Sequence, residues 1–174
     1  MPAGASPELT ANWLGALAMA AGAAQRAATE AAGSESRAAA LLTLLEFPGM
    51  AIVELAGILG LSHSATVRLL DGLVEEGLVD RERSRRDPRS AELRLTARGR
   101  RMAGGIRRAR LLSLEHLLAP LTQTQRSQFA RLVQSVLTGV TGERAVARRT
   151  CRFCAHGICS GADCPIGSSL EDWC

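Results

Sequence analysis

Two short apolar helices joined by a three-residue stop constrain this chain more than any other feature. Residues 51–59 (AIVELAGIL) carry apolar side chains at helical spacing. Gly60 then offers a left-handed stop, and Ser62 offers an N-cap for the helix that follows. That helix, 63–76, places Val67, Leu70, Leu73 and Val74 on one face and Ser64, Thr66, Arg68 and Glu75 elsewhere. Gly77 ends it. Residues 78–83 (LVDRER) and 91–96 (AELRLT) alternate like strands, with the arginine-loaded turn 85–90 (RRDPRS) between them. A helix of a size that fits the major groove, beside a basic hairpin, is a way to hold DNA.

The flanks are helical. Residues 8–32 read as a long alanine-rich helix with few large side chains, among them Leu9, Trp13, Leu14, Leu17 and Met19. A break at Gly33-Ser34 precedes a helix over 36–46, stopped by Pro48-Gly49. A second long helix spans 96–119, bounded by Pro120. Thr122 and Gln125 form a capping box for a last helix. Its Phe129, Leu132, Val133, Val136, Leu137 and Val140 make an apolar stripe. One compact domain cannot cover all these faces, so the expected partner is a second copy in a two-fold dimer.

Nearly half of the residues are apolar, so the chain folds, and the scarcity of aromatics leaves Leu, Ala and Val to build the core. No Lys is present: every basic side chain apart from the histidines is Arg, which forks onto phosphate. Between residues 81 and 110, twelve Arg stand against Glu82, Asp87 and Glu92, a local net charge of +9 in a chain of net +4. That asymmetry is the electrostatic footprint of a nucleic-acid binder. Arg107, Arg108 and Arg110 read instead as a solvated helix face. No run is long and apolar enough to span a bilayer. Residues 13–24 imitate a signal-peptide core but lack the positive segment before it. The expected location is the cytoplasm, where five cysteines are kept reduced or metal-bound.

The stretch LGLSHSATVRLLDGLVEEGLVDRERSRRDPRSAELRLTARG resembles the winged helix-turn-helix of MarR-type transcriptional regulators. The matching positions are Leu61-Ser62, Thr66-Val67, Arg68 (one residue earlier than the usual Thr-Val-Ser-Arg), Gly77-Leu78-Val79, Asp87-Pro88-Arg89, and Leu95-Thr96 followed by Gly99. With its flanking helices the resemblance covers about residues 37–140. It implies a mainly α (α+β) fold: a winged helix-turn-helix with long N- and C-terminal dimerisation helices. The division is then 1–35 for the N-terminal dimerisation helix and 36–99 for the DNA-binding domain. The C-terminal dimerisation helices take 100–142, and a cysteine-rich tail takes 143–174.

On that fold the groove-reading candidates are Ser62, His63, Ser64, Thr66 and Arg68, with Arg68 able to fork onto guanine. Arg89, aimed by Asp87-Pro88, suits a narrow minor groove. Arg85 and Arg86 suit phosphates, contacts that position without specifying. The tail lies outside the common family pattern. Cys151, Cys154, Cys159 and Cys164 fall within fourteen residues and open with Cys-x2-Cys, which is metal-ligand spacing. Structural zinc, an iron–sulfur cluster (Cys164-Pro165 echoes ferredoxin runs) and a metal-free thiol switch all fit. Arg148, Arg149 and Arg152 would offset the thiolate charge. His156 is a spare ligand or a loop residue, and Cys174 a free or resolving thiol.

The resulting expectation is a dimeric, sequence-specific DNA-binding regulator, in the repressor sense. Its partners are a double-stranded inverted-repeat operator and a small-molecule effector, with no membrane, and the state of its tail modulates it. The alternative is a metal- or thiol-based redox protein that uses the winged helix as a protein-interaction module. No acid–base constellation or phosphate loop suggests an enzyme, and Glu54, Glu75 and Glu76 read as helix-surface charges.

Overall fold

The computed structural model describes residues 4–83, 91–140, 143–160 and 164–167. The chain begins with α1 (Pro7–Thr29), a 3-10 turn (Glu30–Ala32) and α2 (Glu35–Glu46). Then come β1 (Met50–Ala51), α3 (Ile52–Leu59), α4 (His63–Glu75), β2 (Val79–Arg83) and β3 (Ala91–Leu95). It continues with α5 (Ala97–Leu117), α6 (Gln123–Val140) and α7 (Arg144–Thr150). The fold is mainly helical with one small sheet, as the patterning implies.

Local chemistry sets most boundaries. Ser34, Ser62 and Thr96 each accept a backbone N–H three residues on, capping α2, α4 and α5. The Thr122–Gln125 box closes in both directions. Helices α3 and α4 both end in a left-handed glycine, Gly60 at φ 68° and Gly77 at φ 65°. At each, paired bonds close the last turn: Leu61 N–H to Ala56 O and Leu78 N–H to Leu73 O, each with the glycine N–H bonded inside it.

The sheet is antiparallel in the order β1-β3-β2, with Val79 opposite Leu95 and Met50 opposite Leu93. The two-residue β1 is too short to show an alternation and was not legible in sequence. Leu41, Leu42 and Leu44 of α2 meet Leu55 and Ile58 of α3, Leu70 and Leu73 of α4, and Leu78, Val79, Leu93 and Leu95 of the sheet. Ala103 and Ile106 of α5 close this core. The buried stripe of α4 differs from the one drawn on sequence: Thr66, Leu70 and Leu73 face inward, while Val74 is 37% exposed.

Helix α1 packs along α5, yet Trp13 and Leu14 are each 57% exposed. Helix α6 meets the tail through Leu137, while its Leu132 and Val136 stay exposed at 66% and 55%. No single described helix is long and apolar enough to cross a membrane.

The tail forms α7, which packs on α3, and buries Phe153 in the main core.

The wing joins α5 at a tight crossing. The Thr96 hydroxyl donates to Gly77 O at 2.8 Å while capping Gly99 N–H. A Cβ on Gly99 would fall on the Leu78 carbonyl oxygen. Gly99→Ala is therefore expected to cost about 1–3 kcal/mol, the usual range for overpacking a tight site. A chemical denaturation midpoint equal to wild type would show that the crossing yields.

Candidate nucleic-acid interface and thiol cluster

Helix α4 presents one free face and one core face. At 100° per residue, Ser64, Arg68, Asp71 and Glu75 form one stripe, with Ser62 and His63 at its leading end. Ser62, His63, Ser64 and Arg68 are exposed, so these four candidates meet at the surface. Ser62 is also structural: its Oγ caps Ala65 N–H at 3.2 Å and lies 3.2 Å from Ser64 Oγ.

Thr66 is not on this face. It is fully buried, and its hydroxyl donates to Ser62 O at 3.0 Å. At two residues from Ser64 it points across the helix, where a small side chain that can satisfy its own hydroxyl suits the core. Arg85, Arg86 and Arg89, the hairpin-tip candidates, lie outside the described residues.

The sequence reading missed Asp71 and the role of Arg81. An acid on the reading stripe would repel phosphate, but Arg81 of β2 pairs with it at 2.8 Å and donates to Val67 O at 3.4 Å. This ties the wing to α4. The pair is half-exposed, so its value is geometric more than energetic. Position alone could not reveal it, because the partners are ten residues apart on different elements.

Much of the arginine excess is structural. Arg94 meets Glu82 at 3.2 Å and Glu92 at 3.0 Å. Arg98 donates to Glu76 O at 2.6 Å and Arg100 to Leu95 O at 2.8 Å, binding carbonyls left free at element ends. Arg107 and Arg110 are not on a solvated face. The first pairs with Glu46 of α2 at 2.6 Å, and the second donates to Gln25 of α1 at 3.0 Å. Burial pulls the Arg110 guanidinium below its ordinary pKa, opposed by nearby Cys154. Glu76 and Glu54 are likewise engaged: Glu76 holds Arg37 at 2.6 Å, and Glu54 accepts Ala51 N–H at 3.2 Å.

The four tail cysteines gather in a second small core. Cys151 and Cys164 are buried with Ala147 and Ile166, and Cys154, Cys159 and Leu137 of α6 pack against them. All four are free thiols. The hydrogen bond between the Cys151 and Cys154 thiols raises the first and lowers the second to about 7. Burial adds to the rise at Cys151 and opposes the fall at Cys154, which Arg110 assists. Cys164 Sγ accepts Gly167 N–H at 3.0 Å. Among the described residues no three His, Cys, Asp or Glu side chains stand arranged to hold a metal ion. His156 packs edge-on to Phe47, ring centroids 4.9 Å apart, and its buried Nδ1 has no partner. A cavity of about 40 Å³ lies between the tail and α2–α3, lined by Thr43, Glu46, Phe47, Ile58, Cys151 and Cys154 among others.

The sequence model of the MarR family matches residues 34–90, which hold the whole helix-turn-helix and β2. The chain resembles Rv1404 of Mycobacterium tuberculosis with a TM-score of 0.70 at 22% identity, covering 82% of this chain and 99% of that one. The chain has the winged-helix-turn-helix fold of these proteins. The MarR family protein Rv2887 of M. tuberculosis, crystallised with salicylic acid, shares it at 26% identity and TM-score 0.55, covering 78% and 99%. The transcriptional repressor CouR, bound to a 23-mer DNA duplex, is similar at 25% identity and TM-score 0.59, covering 74% of this chain and 92% of that one. No curated protein matches the sequence.

Ser62→Ala removes the cap that starts α4. A stability loss of about 0.5–2 kcal/mol is expected, with Ser62→Asp restoring most of it. Equal thermal midpoints for all three proteins would deny the cap its role.

Proposed function

We propose that this chain is a dimeric, sequence-specific DNA-binding transcriptional regulator that acts as a repressor. The observation that carries the reading is the free face of α4. Ser62, His63, Ser64 and Arg68 stand exposed together on a helix that is capped at one end and locked at the other. That helix is packed on the core through Leu70 and Leu73 and tied to the wing by Arg81. Helices of this size fit the major groove, and CouR is a repressor of the same fold caught on a duplex. MarR-family proteins are transcriptional regulators and not enzymes, and the likeness to them accords with a non-enzymatic role.

Dimerisation is supported by what the single chain leaves uncovered. Trp13, Leu14 and Met19 of α1 and Leu132 and Val136 of α6 form apolar surface that a second copy would bury. Two-fold symmetry calls for an inverted-repeat operator whose half-sites lie about one helical turn apart. Arg85, Arg86 and Arg89, which lie outside the described residues, are assigned to DNA contact from the sequence alone. Signal input is assigned to the cysteine tail, alongside a small-molecule effector of the kind exemplified by Rv2887 with salicylic acid.

The test is selection of binding sites from random duplexes, followed by titration at several salt concentrations. An enriched inverted repeat is expected. Arg68→Ala and Arg89→Ala should each weaken the selected site by about 1–3 kcal/mol, the scale of a good groove contact. Arg86→Ala should weaken all sequences alike and lower the salt slope by about one unit. Failure to enrich any sequence would overturn the reading.

Val136→Asp tests assembly. A charge buried at an interface core should yield monomers or insoluble protein. A soluble dimer of normal stability in analytical ultracentrifugation would place the interface elsewhere.

A further inference from the structure

The tail holds two thiols together beside a cavity. Cys151 closes α7, and Cys154 donates its N–H to Cys151 O at 2.8 Å. That bond makes residues 151–154 a turn, and the end Cα atoms of a turn stand less than about 7 Å apart. A disulfide spans about 4.4–6.8 Å between Cα atoms, so the backbone already suits one. The Cys151 thiol donates to the Cys154 sulfur. This bond lowers the Cys154 thiol to about 7, against the effect of burial and with help from Arg110. The thiolate is the reactive form of cysteine.

Both cysteines line the cavity of about 40 Å³ between the tail and α2–α3. One water needs about 10–15 Å³, and benzene occupies an apolar cavity of about 150 Å³. The space therefore takes a molecule of roughly two or three heavy atoms and excludes an aromatic acid. Its lining is partly polar. Thr43 Oγ1 and His156 Nδ1 are buried there with no hydrogen-bond partner among the described residues, and Thr43 is only 4% exposed. Glu46, the acid in the lining, is already paired with Arg107. Arg148 and Arg152 add positive charge, and the exposed Phe47 carries the lining to the surface. A small neutral solute that forms hydrogen bonds at both ends and oxidises thiols matches these walls, and hydrogen peroxide is such a solute.

We propose that Cys154 and Cys151 are a peroxide-sensing pair, oxidised to a disulfide by hydrogen peroxide taken into this cavity, and that the disulfide weakens DNA binding. The Cys154 thiolate attacks one peroxide oxygen. The O–O bond breaks, Cys154 becomes a sulfenic acid, and the hydroxide that leaves takes up the proton Cys154 lost on ionising. The Cys151 sulfur then attacks the Cys154 sulfur and gives its proton to the departing hydroxyl. Two thiols and one peroxide thus yield one disulfide and two waters. An S–S bond, at about 2.05 Å, draws in sulfurs that stand at hydrogen-bond distance. Between the two cysteines lie anchors of the tail: Phe153, buried in the main core, and Arg152, which reaches Glu35 of α2 at 3.5 Å. Tightening the turn pulls on both. Helix α7 packs on α3, and its Arg149 guanidinium lies against the turn before α4, where a Cβ built on Gly60 would come within 3.2 Å of it. The coupling to DNA rests on the regulator reading above; the thiol pair does not.

The experiment uses the full-length protein, reduced and then treated with hydrogen peroxide. Trypsin cuts after Arg149 and Arg152, so a Cys151–Cys154 disulfide leaves the peptide 150–152 linked to the peptide 153–174. Mass spectrometry with fragmentation should find that link, with two of the five thiols consumed. Oxidised wild type should bind the selected duplex about tenfold more weakly, within the usual range of coupling between two sites. A reductant should restore the affinity. Cycling the wild type keeps the test independent of whether variants fold. Cys151→Ser should stop at a Cys154 sulfenic acid, trapped by dimedone, and keep its affinity. Thr43→Val should slow oxidation by hydrogen peroxide severalfold but not oxidation by diamide, which needs no peroxide site. All five thiols surviving peroxide, or Cys151 linked instead to Cys159 or Cys164, overturns the pair. Equal peroxide rates for wild type and Thr43→Val overturn the cavity as the binding site. The disulfide formed with unchanged DNA affinity overturns the coupling. The disulfide formed in a protein that enriches no duplex overturns the regulator reading and leaves the thiol pair standing.

Discussion

The crossing of α5 over the start of the wing sets the relation between every part that matters here. Thr96 caps its own helix and, through the same hydroxyl, grips the carbonyl of Gly77, where the reading helix ends. Gly99 lets the α5 backbone lie directly against Leu78. Within a few residues the end of α4, the first strand of the wing and the start of the longest C-terminal helix are held to one another. Any movement of α5 is therefore passed to α4 and the hairpin together, which makes the reading unit a rigid body. Arg98, donating to Glu76 O, adds a second tie across the same corner.

The folding pattern was largely legible because its punctuation is chemical. Gly60, Gly77, Ser62 and the Thr122–Gln125 box each act through a bond to a neighbour a few residues away, and local sequence shows such bonds. What sequence could not show depends on distant partners. Thr66 and Val67 both suit a helix, and only packing decides which turns inward. The short strand β1 exists because Met50 and Ala51 meet Leu93 and Glu92. Helix α7 and its seat on α3 could not be read from a spacing of cysteines, though the cysteines themselves pointed to a cluster.

Not every arginine of the basic segment is free to meet a partner. A segment of strong positive charge contains side chains that serve as internal struts: Arg94 within the sheet, Arg107 to α2, Arg110 to α1. The planar guanidinium can satisfy carbonyls at helix ends and carboxylates alike, so a chain without lysine uses it for both purposes. Under the proposed function, the arginines left for a groove are fewer than the charge count suggests, because several are engaged within the fold.

The bare faces of α1 and α6 also bear on the life of a newly made chain. A lone copy exposes Trp13, Leu14, Met19, Leu132 and Val136, the kind of surface that chaperones and proteases recognise. Unpaired chains would be removed faster than paired ones, and the supply of the protein would respond more steeply than linearly to its rate of synthesis.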